Sequence, residues 1–359
     1  MNPVELVRAL LAAGPLLSAL PQPVRVRSGD PGLGALAERL GLPPITPVGD
    51  VDGLGPFERV LSAYLDLAEP VAVSAADVEA ARAQDFDAWA SRVVVRAPDG
   101  AELPAYAAGD RTKPAVVIVP APGMPARLCE GWMRPLARDH FVLVWETRGL
   151  FTDHFTGAVD VPAQVDDLFA LLDHFELDQA HVLGLCGGAV LGVVAAAREP
   201  ERVSSLSLWH GDFDLGDESP KTDHQRNLQA LMAMAARGTD KAAGVHAVLA
   251  HTMLGVTPPR LAHLVVYPYA TPELLHLYCR LNGEIMATDL RPYLPDVPHR
   301  TLVVTSEDDE TAHPAGSHAV AGRLADATLH VTAHGDHLSL FRAEEHLVEL
   351  AVRFIDART

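Results

Sequence analysis

The run "HVLGLCGGAVLGVVAAA" (181–197) constrains the fold of this chain more than any other stretch. At its centre, GLCGG (184–188) holds one cysteine, Cys186, midway between Gly184 and Gly188. An apolar stretch leads in, with the character of a strand buried on both faces, and small residues with a helical pattern lead out. A residue at such a junction sits on a tight, strained turn, where side chains at 184 and 188 would collide with neighbouring elements. It also stands at a helix N-terminus, where the positive end of the dipole favours a thiolate. Cys186 is therefore a candidate nucleophile, beside the blander reading of a small core residue.

The rest of the chain repeats the strand character. From residue 92, "RVVVRAPDGAELPAYAAG" reads as two strands around a Pro-Asp-Gly turn. "AVVIVP" (115–120), "FVLVWE" (141–146), "HVLGLC" (181–186), "VSSLSLW" (203–209), "TLVVTS" (301–306) and "ATLHVTA" (327–333) follow as short apolar runs. Helical patterns at about 127–138, 161–175, 187–198, 314–325 and 341–357 separate or follow them. This alternation predicts an α/β protein with a mostly parallel sheet and helices on both faces. Residues 1–91 read as an N-terminal helical extension, with a first helix ending near Gly14–Pro15. "SAADVEAARAQDFDAWAS" reads as one helix opening on Ser74. Residues 212–295 carry helical patterns without an apolar strand and are expected to form an inserted cap. The core is then 92–211 and 296–359.

Cys186 follows the fifth strand of that count and opens the next helix. In this setting GLCGG resembles the nucleophile elbow Gly-x-Ser-x-Gly of the α/β-hydrolase fold, with cysteine replacing serine. The resemblance implies an acid after the seventh strand and a histidine after the eighth. The seventh is followed by "TSEDDETAHP", which puts the acid on Asp309, with Asp308, and Asp212 after the sixth strand, as competitors. The eighth is followed by "AHGDHLSLF", which makes His337 the base, with His334 as competitor. The order Cys186, Asp309, His337 is that of the fold. The oxyanion hole would use the N–H of Gly187 and a second from the loop "PAPGMPAR" (120–127). Pro122 has none, which leaves Gly123 or Met124.

Composition excludes several classes. With 47 acidic and 28 basic residues the net charge is −19, which disfavours broad nucleic-acid binding. No run of about 18 uncharged apolar residues suggests a membrane span. The three cysteines, Cys129, Cys186 and Cys279, are odd in number and widely spaced, which fits a reduced compartment, the cytoplasm. The opening residues lack the basic region of a signal peptide. No HExxH or other metal spacing and no strand-linked GxGxxG occurs, so neither a metal nor a bound cofactor is expected.

A thiol at the elbow narrows the chemistry. Exchange between thiolate and thioester is close to thermoneutral, and the acyl-enzyme keeps its activation. "VPAPGMP", "WETRGLF", "GLCGGA", "SLWHGDF" and "TSEDDETAHP" together resemble the aminoacyltransferases of nonribosomal peptide pathways. The resemblance implies shuttling of an aminoacyl group between the 4′-phosphopantetheine thiols of two carrier proteins, with a thioester on Cys186. Carrier proteins are usually acidic, so docking would need a basic patch, for which Arg127, Arg134 and Arg138 are candidates. An aminoacyl ammonium would need an acidic partner, for which Asp212, Asp214 and Glu284 are candidates. His210 and His313 are expected to be structural or to line the pocket. The alternatives are a cysteine-dependent hydrolase, as an editing thioesterase or a dienelactone-type esterase, and a binding protein with a ligand under the cap.

Overall fold

In the computed structural model, which describes residues 1–152, 155, 157–216 and 220–357, the apolar runs pair into an eight-stranded sheet. Its strands are β1 (Ser91–Arg96), β2 (Glu102–Ala108), β3 (Ala115–Val119), β4 (Phe141–Trp145), β5 (Ala180–Leu185), β6 (Val203–Trp209), β7 (Thr301–Ser306) and β8 (Ala327–Thr332). The spatial order is β8-β7-β6-β5-β3-β4-β2-β1. All neighbours run parallel except β2, which is antiparallel to both β1 and β4. The chain reverses direction of winding between β3 and β5, and this is where a crevice opens at the carboxyl ends of an α/β sheet. In β5 every residue is buried, as its unbroken apolar run requires.

Helices cover both faces. Val161–His174 and Gly187–Arg198 pack on one, in a core containing Val117, Val182 and Leu206. Glu130–Leu136 and Glu345–Asp356 pack on the other, where Trp132 and Trp209 meet with ring centroids 4.7 Å apart. Between β6 and β7 the chain builds the helices Asp223–Ala235, Thr239–Val256, Pro259–Val265 and Pro272–Met286. No helix among the described residues is long and apolar enough to cross a membrane.

The first ninety residues depart from a purely helical reading. Val24–Arg27 and Ile45–Val48 pair as a small parallel sheet. Their alternation is only four residues long, too short to stand out between prolines and glycines. The first helix does not stop at Gly14–Pro15 but runs Pro3–Ala19, because Leu16 and Leu17 beyond the proline are fully buried. The helix opening at Ser74 ends at Gln84. Asp85 then starts a new turn, Phe86–Trp89, by accepting the Asp87 N–H at 3.2 Å. The extension packs on the inserted helices: Leu10, Leu61 and Leu65 share one buried cluster with Met232, Leu249 and Tyr278. Paired apolar surfaces of this kind are what neither segment could bury alone.

One buried ion pair ties the sheet to its loops. Arg148, 1% exposed, donates to Asp167 at 2.8 and 2.5 Å, to Asp99 at 2.7 Å and to the Ala158 and Ala163 carbonyls. Asp167 is itself 2% exposed, and burial pushes its pKa up to about 6 even against the guanidinium. Breaking such a pair strands a charge, whereas replacing both partners by apolar groups does not. Arg148→Met is expected to lose about 3–5 kcal/mol in urea unfolding, and Arg148→Met with Asp167→Leu to recover most of it.

Candidate active site

The junction of β5 and helix Gly187–Arg198 places Cys186 at φ +55°, a strained backbone for a residue with a side chain. Its N–H donates to the Trp209 carbonyl at 3.0 Å, which holds the turn on β6. The flanking glycines are obligatory. A Cβ at Gly188 would lie 2.3 Å from the Val119 carbonyl oxygen, and one at Gly184 would lie 2.6 Å from Ala189 Cα. Cys186 is half-buried, whereas Cys129 and Cys279 are buried. Burial pushes the Cys279 thiol up to about 12, and Cys129 higher still. Of the three, Cys186 alone lines the cavity of about 310 Å³ that lies beneath the inserted helices.

Asp309 and His337 come to the same place from the loops after β7 and β8. Asp309 Oδ2 accepts from His337 Nδ1 at 2.9 Å, and Oδ1 accepts the N–H groups of Thr311 at 2.9 Å and Ala312 at 2.8 Å. Burial alone would raise the Asp309 pKa. The charge of His337 and the hydrogen bonds from His210 and His337 outweigh it and hold the carboxyl well below its usual range. Burial would likewise lower His337, but Asp309 and the neighbouring Cys186 sulfur hold it well above the ordinary histidine value. Its Nε2 is buried with no partner in hydrogen-bond geometry, and Cys186 is the neighbour that, with Asp309, raises the ring's pKa.

His210 does not line the cavity. Its Nδ1 donates to Asp309 Oδ2 at 2.8 Å, so two histidines share one carboxylate oxygen. His210 stands at φ +48° immediately after β6, and this backbone turns the ring inward onto the acid. His210, Asp309 and His337 offer ligand atoms within 4.8 Å of one another, the one grouping among the described residues with the closeness of a metal site. Here that closeness is used by hydrogen bonds from both rings to a single oxygen.

The other candidates separate. His334, with a side chain 91% exposed, bonds Asp308 at 3.1 Å and takes no part in the buried set. Asp212 lines the cavity, accepts from Gln225 Nε2 at 2.7 Å, and has its pKa raised by burial. Glu284 lies elsewhere: it is exposed and borders a separate cleft with Asp214, because its position on helix Pro272–Met286 faces away from Cys186. His313 caps helix Pro314–Ala321, accepting the Ala315 N–H. The arginines form no free basic patch. Arg127 is spent on Asp85 at 2.6 and 2.7 Å and on Asp87 at 3.0 Å, and Arg134 on Glu130 at 2.6 Å. Arg138 is exposed but is left without its two neighbours.

The oxyanion loop differs from expectation. Gly187 is the first residue of its helix, where N–H groups have no intrahelical partner. The N–H of Gly123, however, donates to Thr147 Oγ1 at 2.8 Å, and that of Met124 to the Ala121 carbonyl at 3.3 Å. Both expected second donors are committed, Gly123 to the segment after β4 and Met124 to the loop's own turn, in which Gly123 sits at φ +80°. The segment after β4 anchors this loop, since Glu146 also accepts the Ala126 N–H at 2.8 Å. Residues that the motif reading missed come from the inserted helices. Tyr269, Tyr278 and Asn282 line the cavity, and the i,i+4 spacing of Tyr278 and Asn282 on one helix face was the signal available.

The family model for the alpha/beta hydrolase fold matches residues 114–344. The chain belongs to the α/β-hydrolase fold family. This α/β hydrolase is 26% identical over 200 residues to the RutD protein of Caulobacter vibrioides, whose name assigns it carbamate hydrolysis. That match covers 53% of this chain and 70% of RutD. The enol-lactonase of Burkholderia xenovorans superposes with a TM-score of 0.59 at 22% identity, covering 74% of this chain and 100% of its own. The EaEST esterase of Exiguobacterium antarcticum gives 0.61 at 15% identity, covering 74% and 99%.

Asp309→Asn removes the charge that raises His337 and is expected to cut turnover by about 10³–10⁴. The raised pKa also stabilises the fold fully below pH ~6.5 and fades as pH rises through the folded value. NMR titration of His337 in the variant should show its pKa fall, and the low-pH stabilisation should fall with it. Glu146 shows the converse problem for an acid. Burial pushes its pKa up to about 8, so its folded form is favoured below pH ~4.3 and weakens as pH rises towards 8. Glu146→Gln, which still accepts from Ala126, should flatten that decline in urea midpoints measured from pH 4.5 to 8.5.

Proposed function

We propose that this α/β hydrolase cleaves an ester, lactone or thioester through a covalent thioester on Cys186. The observation that carries this reading is the connected set at one cavity wall: Cys186 on the elbow, His337 with Nε2 free, and Asp309 accepting from its Nδ1. His337 takes the thiol proton and the sulfur attacks the carbonyl carbon. The leaving group departs with that proton, and water activated by the same ring releases the acid. Asp309 holds the tautomer that leaves Nε2 to do this, and His210, on the same oxygen, holds Asp309 ionised. The hydrolase names carried by similar chains support hydrolysis as the outcome. A reducing compartment, the cytoplasm, suits a thiol nucleophile.

A second reading is kept by a specific observation. Asp212, Asp308, Glu310 and Asp336 line the cavity, Asp308 and Asp336 already paired to His334 and Arg342, and such a lining offers an acidic partner to an ammonium group. With a thiol nucleophile, this supports transfer of an aminoacyl group between phosphopantetheine thiols of carrier proteins. The committed state of Arg127 and Arg134 weighs against the docking step that this requires.

Intact-protein mass spectrometry with a panel of activated esters, lactones and acyl- or aminoacyl-pantetheine thioesters distinguishes the readings. The expected result is an adduct on Cys186, absent from Cys186→Ala, that decays to free acid in water. An adduct stable in water and discharged by free pantetheine would favour the shuttle. No adduct and no turnover on any carbonyl substrate would remove both.

A further inference from the structure

We propose that the phenol of Tyr278, carried by the inserted helix Pro272–Met286, is the second donor of the oxyanion hole. The inference rests on the covalent reading above and adds the group that stabilises its tetrahedral intermediate. Along the loop after β3, Pro122 lacks an N–H, and those of Gly123 and Met124 are committed to Thr147 and Ala121. The backbone at 122–124 therefore leaves the Gly187 N–H without a partner donor, although a developing alkoxide in a dry cavity needs more than one.

The inserted helices fill that gap from above. The Tyr278 ring lies against Gly123: a Cβ there would meet Tyr278 Cδ2 at 2.5 Å. The carboxamide of Asn282 lies against Gly187, with Oδ1 3.3 Å from the position a Cβ would take. Asn282 Nδ2 donates to Tyr278 Oη at 3.3 Å, and Tyr269 Oη donates to the same oxygen at 3.5 Å. With the Tyr269 hydrogen turned towards it, Tyr278 Oη accepts twice and keeps its own hydrogen to give. Neither neighbour can replace it. The hydroxyl of Tyr269 is spent on Tyr278, and Asn282 presents its acceptor oxygen to the Gly187 side, where an anion needs a donor. Burial raises the Tyr278 pKa well above that of an ordinary phenol, which keeps the group protonated. Two incoming hydrogen bonds polarise it as a donor.

In the step concerned, a Cys186 Sγ lone pair forms the S–C bond and the carbonyl π pair moves onto oxygen. That oxygen accepts hydrogen bonds from the Gly187 N–H and the Tyr278 O–H, with no proton transferred. On collapse the C=O reforms, the bond to the leaving group breaks, and the leaving group takes the proton held by His337.

Tyr278→Phe keeps the ring and removes the donor. With p-nitrophenyl acetate, acylation of Cys186 is expected to slow by about 10²–10³ in kcat/KM, with the loss in kcat. Alkylation of Cys186 by iodoacetamide passes through no oxyanion and should proceed at the wild-type rate. Equal slowing of both reactions would assign Tyr278 to shaping the cysteine–histidine pair and overturn the inference. So would unchanged acylation in the variant beside normal wild-type acylation, which overturns this inference alone. Failure of the wild type itself to form an acyl-enzyme would overturn the covalent reading, and this one with it.

Discussion

The structure depends on how closely a helix can be brought to the end of a central strand. At the β5 junction the backbone of Gly188 lies against the Val119 and Pro120 carbonyls, and that of Gly184 against Ala189. Only residues without a Cβ allow that approach, and the approach forces Cys186 into positive φ with its side chain facing the crevice. Once the turn is so constrained, the loops after β7 and β8 need only reach it from neighbouring strand ends. The parallel register of β5, β6, β7 and β8 puts those ends side by side.

Asp309 converts this proximity into a set with defined protonation. Four hydrogen bonds converge on its two oxygens, two from histidine rings and two from the backbone. A carboxylate so satisfied stays charged while buried, and its charge keeps His337 protonated more readily than a free imidazole. His210 touches the acid rather than the cavity, so its contribution passes through Asp309 to the base.

What was legible in the sequence was local or topological. GLCGG and the strand runs read correctly as an α/β-hydrolase fold because each rests on a few consecutive residues, and counting strands from them led to Asp309 and His337. Whatever depends on a partner far along the chain was not legible. Arg127 looks like a free cation until Asp85, forty-two residues away, is seen beside it. Gly123 looks like a spare donor until Thr147 closes on it. Glu284 and Asn282 lie two residues apart on one helix, and only the packing of that helix shows that one faces the cavity and the other a separate cleft. The strands in the extension were hidden by brevity, and the run of the first helix past Pro15 by burial of leucines that a local stop signal cannot anticipate.

The shared core of extension and inserted helices has a consequence for how a substrate reaches Cys186. Leu61 and Leu65 lie in the same buried cluster as Tyr269 and Tyr278, so the roof of the cavity is bolted from outside by residues at the far N-terminus. Lifting that roof as a unit would expose apolar surface on both segments to water. Asp308, Glu310 and Asp336, exposed residues that border the cavity, lie outside that shared core, so access on their side leaves it intact. The first ninety residues, none of which lines the cavity, thus hold its roof in place.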